Sequence, residues 1–222
     1  MQNSKFYQFI SALFVTCLVI SNIIAVKIGA FGSYFLPVAV ILFPITYIIG
    51  DILTEVYGYS AARRAIWTGF ACNLIAVIAI YVAMKIPSAP FFENQKAFEQ
   101  ILGFAPRLLV ASFVAYLVGQ FANSVVLAKM KIKTAGKHLW MRTIGSTIVG
   151  EGLDSLIFIS LAFWGVMPTS VIGGLIIAQW MFKTLFEIVL TPVTYAVVGY
   201  LKKTEMVDVY DKNTNFNPLS MK

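Results

Sequence analysis

Long apolar runs separated by short polar connections dominate this chain. Six runs reach the length needed to cross a bilayer, roughly 20 apolar residues, at about 6–26, 34–56, 64–84, 108–129, 143–166 and 170–200. The pattern predicts an all-α, polytopic membrane protein with a single six-helix transmembrane domain over 1–203 and a polar tail at 204–222.

Polar side chains inside these runs recur at helical spacing. In "FPITYIIGDILTEVYG" (43–58), Tyr47, Asp51 and Glu55 follow one another at i+4 and share a face. Pro44 removes a backbone donor and is expected to kink the second helix. The fourth run sets Ser112, Tyr116, Gln120 and Asn123 in a stripe beside the small residues Ala111, Ala115 and Gly119. The fifth aligns Thr147, Glu151 and Asp154, and the sixth aligns Gln179, Lys183, Glu187 and Thr191.

A charge at bilayer depth costs roughly 2.5–3.5 kcal/mol on the insertion scale, so such groups seek a partner or a wet cavity. At roughly 1.5 Å per residue, Asp154 lies about 18 Å beyond Arg142, near the middle of a ~30 Å core. Lys183 falls at a depth where it can meet Asp154 across the helix interface. Two placements fit Asp51 and Glu55: facing a cavity, or reaching the inner headgroups. Gln120 fits either a ligand contact or a helix–helix bond. Carboxylates and amides flanked by Tyr47, Tyr116, Phe158, Trp180 and Phe182 suit a planar heteroaromatic ligand rich in N–H donors. An amino acid or an ion could use the same groups.

Composition agrees with a membrane-embedded chain: 59% of the 222 residues are hydrophobic and 12% charged, with a mean hydropathy of +0.81. The formal charge of +7 reads as orientation. Basic residues gather at Arg63, Arg64, Lys129 to Lys137, Arg142, Lys202 and Lys203, against Lys27, Lys85, Lys96 and Arg107 in the opposite loops. The positive-inside rule then puts both termini in the cytoplasm. No aromatic-interleaved basic face supports nucleic-acid binding.

The outer loop carries Phe91, Phe92, Phe98, Ile101, Leu102 and Phe104, and residues 93–103 fit a short amphipathic helix, an interfacial anchor or a lid. The basic inner loop faces lipid headgroups, and the Asn-rich tail reads as disordered. Cys17 and Cys72 lie within spans and are not expected to pair. His138 is the only histidine, and neither H-E-x-x-H nor G-x-S-x-G occurs, which argues against an enzyme. No metal or cofactor is expected. A homo-oligomer stays open.

At "SNIIAVK", "FPITYIIGDILTEVYGYSAARR", "RLLVASFVAYLVGQ", "STIVGEGLDS" and "FKTLFEIVLTPVTY" the sequence resembles the queuosine precursor transporter family, also described as a vitamin-uptake family of integral membrane proteins. The resemblance implies six membrane helices and import, across the bacterial cytoplasmic membrane, of a 7-deazaguanine (the cyano or aminomethyl form) or queuine. It carries the polar motif positions onto Asn22, Asp51, Glu55, Arg107, Gln120, Asp154, Lys183 and Glu187, with Glu151 at a further polar position. Tyr47 and Tyr116 complete the expected binding set. The family is also similar in broad design to the substrate-binding subunits of multi-component vitamin importers. A substrate-capture subunit, or a transporter of another heteroaromatic vitamin, is therefore the alternative reading.

Overall fold

The computed structural model describes residues 4–31, 34–103 and 106–220. In chain order the elements are α1 (Lys5–Ile24), strands β1 (Ile28–Phe31) and β2 (Tyr34–Pro37), a 3-10 turn (Val38–Ile41), α2 (Phe43–Tyr57), α3 (Tyr59–Lys85), α4 (Gln95–Leu102), α5 (Pro106–Lys133), α6 (Leu139–Phe163) and α7 (Thr169–Glu205). Among the described residues, six apolar helical stretches are long enough to span a membrane: Phe6–Ile24, Val38–Tyr57, Tyr59–Lys85, Gln95–Lys133, Leu139–Phe163 and Thr169–Glu205. Their outward faces carry Ile75, Ile78, Val110, Ile177, Leu185 and Val189, all exposed apolar side chains as a lipid-facing surface requires.

The second span departs from expectation at its start. Residues 34–42 form a strand and a 3-10 turn instead of helix, and β2 pairs antiparallel with β1 in the register Ile28↔Pro37 to Phe31↔Tyr34. Pro37 explains the break: it sits extended at φ −55°, ψ 135°, and a proline also disfavours helix in the residue before it. Pro44 does not kink α2; it occupies the first turn, where no intrahelical acceptor awaits its missing N–H. The short outer helix forms as α4 with none of its residues buried; Phe104 lies outside the described residues.

α2 is the most enclosed helix, with nearly every residue from Pro44 to Tyr57 buried. It is packed by α1, α3, α5 and α7. Its C-terminus turns sharply into α3 through Gly58 at φ 82°, a conformation that favours glycine.

The tail also departs from expectation, because residues 206–220 fold back over one end of the bundle. Asp211 accepts from the Tyr59 N–H at 2.9 Å, Arg63 donates to the Asn215 and Asn217 carbonyls, and the Trp67 indole donates to the Pro218 carbonyl. The asparagines that suggested disorder instead close local turns, Asn217 N–H donating to Asn215 Oδ1 and Leu219 N–H to Asn217 Oδ1. The start of α1 meets the end of α7 through Ser4 Oγ donating to Glu205, so both ends of the bundle's chain lie on one side.

Candidate functional site

The site is organised by a near-backbone contact between α5 and α6. A Cβ added to Gly150 would lie 2.6 Å from Asn123 Cβ and 2.9 Å from the Gly119 carbonyl. One added to Gly119 would meet the Tyr47 hydroxyl and come within 2.9 Å of Asp154 Cβ. Small residues let the two helices touch, as in other membrane helix pairs. That contact sets Gly119 and Asn123 of α5 against Gly150 and Asp154 of α6. Gln120 turns toward α2, its Oε1 3.0 Å from where a Cβ on Gly50 would lie, and α2 leans on the seam through Tyr47.

Lys183 of α7 reaches into this seam. Its ammonium donates to Asp154 Oδ2 at 2.5 Å and lies 2.7 Å from Glu151 Oε2. All three side chains are at most 4% exposed. The ring of Phe43 covers the ammonium with its centroid at 4.6 Å, a cation–π contact strengthened by desolvation. The expected Lys183–Asp154 pair is therefore present, and Glu151 makes it a triad.

Beside the triad lies a polar set whose bonds are incomplete. Asp51 is fully buried and accepts from Asn123 Nδ2 through Oδ1 at 2.5 Å. Its Oδ2, Asn123 Oδ1, both amide atoms of Gln120, the Tyr47 hydroxyl, Thr147 Oγ1, Ser155 Oγ and Glu187 Oε1 have no hydrogen-bond partner among the described residues. Buried polar atoms are rarely left so, since each orphan costs about 1–3 kcal/mol. The Asp51 placement is thus decided for the interior.

Glu55 goes elsewhere. One turn beyond Asp51, it accepts two bonds from the Arg142 guanidinium, at 2.7 and 2.8 Å, and one from Lys202 at 2.5 Å. Lys131 lies 3.7 Å away. Its carboxylate is sealed into an ionic hub, separate from the unsatisfied set.

The other residues of the expected set scatter. Tyr116 donates to the Ile66 carbonyl at 3.0 Å, tying α5 to α3. Asn22 donates to the Leu18 carbonyl and accepts from Ser112. Arg107 is exposed and caps the end of α6, donating to the carbonyls of Leu161 and Trp164. It lines a shallow cavity of about 360 Å³ with Val110, Ala111 and Leu161, roughly 20 Å along α5 from Gln120.

Of the aromatic walls, Phe182 is exposed, Trp180 donates to the Ile148 carbonyl, and Phe158 packs on Phe163. Tyr47, one of the expected walls, is joined there by Phe43, with ring centroids 6.0 Å apart. Sequence reasoning left Phe43, Arg142 and Ser155 outside the candidate set. The regular spacing Phe43–Tyr47–Asp51 was the available signal for Phe43, while Ser155 carried none.

Known proteins bear on this site. The family described as "Putative vitamin uptake transporter" matches residues 37–197. A "Probable queuosine precursor transporter" of Bacillus subtilis is 30% identical over 156 residues, covering 70% of this chain and 68% of that one. The "Queuosine precursor transporter" of Escherichia coli is 26% identical over 175 residues, 77% of this chain and 76% of its own. A "Probable queuosine precursor transporter" of Haemophilus influenzae is 27% identical over 171 residues, 74% and 70%. No solved structure matches the chain.

Proposed function

The chain belongs to this vitamin uptake transporter family, and we propose that it imports a queuosine precursor, a 7-deazaguanine base, through the seam between α2, α5, α6 and α7. It is a multi-pass membrane transporter and not an enzyme. The basic ends at Arg63, Lys131, Arg142 and Lys202 favour placing both termini in the cytoplasm.

The observation that carries the ligand reading is the set of orphaned atoms around Asp51. Glu151 and Asp154 already hold Lys183, so among the unpartnered atoms the carboxylate acceptors outside the triad are Asp51 Oδ2 and Glu187 Oε1, with the Gln120 amide as both donor and acceptor. A guanine-like edge offers N–H donors to acceptors such as Asp51 Oδ2 and Glu187 Oε1 and a carbonyl to the Gln120 amide, charge-assisted bonds that combine strength with selectivity. Phe43 and Tyr47, their rings tilted 48° to each other, supply an aromatic corner for the base.

The test is uptake of labelled 7-cyano-7-deazaguanine and queuine by cells lacking their own route, with guanine as competitor. Asp51→Asn keeps the shape and removes the charge. It should cut uptake by about 10–100-fold, the value of one charge-assisted hydrogen bond of about 1.5–3 kcal/mol, at unchanged membrane abundance. Full uptake by that variant would remove Asp51 from the site, and no uptake of either base by the parent chain would retire the ligand class.

A further inference from the structure

The end of the bundle that carries the folded-back tail holds more ionic and hydrogen-bonding contacts than helix packing requires. Glu55 of α2, Arg142 of α6, Lys131 of α5 and Lys202 of α7 meet in the hub, and Asp208 of the tail joins it, accepting from Lys131 at 2.5 Å and lying 2.8 Å from Lys202. Lys131 also donates to the carbonyls of Glu55 and Val209, and the Val209 N–H donates to the Val56 carbonyl at 3.2 Å. Beyond the hub the tail grips α3 through Tyr59, Arg63 and Trp67.

We infer that residues 206–220 are a detachable strap, and that with the Glu55 hub they form the gate closing this end of the transport path. Asp51 sits one turn from Glu55 on the same face of α2, about 6 Å along the axis, so the hub lies directly between the orphaned polar set and the strap-bearing side. All four helices that surround that set are joined by it. A solute cannot leave by this end while Glu55 holds both Arg142 and Lys202.

The strength of the contacts is graded. The Glu55 and Arg142 side chains are at most 2% exposed, a dry pair whose separation is costly. Asp208 is 41% and Lys202 22% exposed, and pairs in contact with water contribute little. The Asp208–Lys202 contact is thus the outermost fastening and the first to loosen, while Lys131 and Asp211, 1% and 4% exposed, hold the strap from beneath. Glu55 is left with one cation fewer once Lys202 follows Asp208. The inference rests on the chain being a transporter and not on which base it carries.

The experiment locks and loosens the strap in the full chain, with Cys17→Ala and Cys72→Ala as background. Tyr59→Cys with Phe216→Cys, whose rings lie 5.1 Å apart, is bridged reversibly by oxidation or by a short cleavable bis-thiol reagent, and bridging is verified before labelling. Ser155→Cys reports entry of a membrane-impermeant maleimide, in vesicles of each orientation. Bridging this pair should lower labelling from the strap-bearing side at least tenfold, reversed by reductant, and leave the opposite side unchanged. Lys131→Met with Lys202→Met should raise strap-side labelling at least threefold. Equal labelling of locked and unlocked protein, absence of strap-side labelling in both, or no change on loosening would overturn the gate. Uptake of labelled 7-cyano-7-deazaguanine is followed in parallel in the chain that retains Ser155: gated labelling without uptake there would sink the ligand reading and leave the gate standing.

Discussion

Replacing Lys183 by methionine tests the triad directly, because it keeps most of the volume and deletes the only cation within ion-pair distance of Glu151 and Asp154 among the described residues. Two carboxylates at most 4% exposed would then face each other without a counter-ion. Removing one partner of a buried ion pair costs about 3–5 kcal/mol, because the charge left behind stays desolvated. For a chain of this size each kcal/mol lowers Tm by about 2–4 °C, so Lys183→Met should lose roughly 6–20 °C in a detergent-solubilised melt. The triple variant Lys183→Met, Glu151→Gln, Asp154→Asn leaves no charge of the triad unpaired and should recover at least half of that loss. Neutral isosteres of a buried network are often tolerated where a broken network is not. The assay is thermal unfolding of purified single, double and triple variants, read as a mutant cycle. A triple variant less stable than Lys183→Met, or losses that simply add, would show that the three side chains are not one electrostatic unit.

Two further outcomes follow from the geometry. Gly150→Ala places a methyl 2.6 Å from Asn123 Cβ and 2.9 Å from the Gly119 carbonyl, so α5 and α6 must part; a loss of about 1–3 kcal/mol is expected, whereas Gly173→Ala, which meets nothing within 4 Å, should leave the melt unchanged or raise it slightly through helix propensity. Burial acts to raise the Asp208 carboxyl, but hydrogen bonds and charge from Lys131 and Lys202 outweigh it and hold the group below its ordinary value of 3.8. A depressed acid stabilises the fold fully above its unfolded value and loses that contribution only as pH falls through the lower folded one. Protection of residues 206–220 from limited proteolysis should therefore stay flat from about pH 8 to pH 5; release with a midpoint inside that window would contradict the anchoring role of Asp208.

The membrane architecture was legible because it depends on run length and on helical spacing, which survive in a bare sequence. The i+4 series in the second and sixth runs, and the i+4, i+3 series in the fifth, correctly gathered Asp51, Glu151, Asp154, Lys183 and Glu187 on inward faces. What failed was local and three-dimensional. Two prolines in one apolar run read alike, yet Pro37 ends the hairpin and Pro44 starts a helix, a difference set by backbone context. The Asn-rich tail looked unstructured because its partners, Tyr59, Arg63, Trp67 and Lys131, lie about 80–150 residues earlier in the chain. Phe182 was expected to wall a pocket, but it neighbours Lys183 in sequence, about 100° around the helix, and so turns outward where Lys183 turns in.

The fate of Asp51 and Glu55 shows how one helix face can serve two purposes. Identical spacing puts both carboxylates on the same side of α2, so periodicity alone assigns them the same role. They differ in what the neighbouring helices present at each level. At the level of Glu55, α5, α6 and α7 each bring a cation, and the carboxylate is saturated by charge. At the level of Asp51, α5 brings two amides and α7 another carboxylate, so one oxygen is held and the other is not. A saturated acid resists water and must be unfastened to let anything pass; a half-satisfied one, fully buried, favours a donor-rich guest or a proton. Binding and closure would then sit one helical turn apart on α2, and a small axial movement of that helix relative to α6 and α7 would act on both at once.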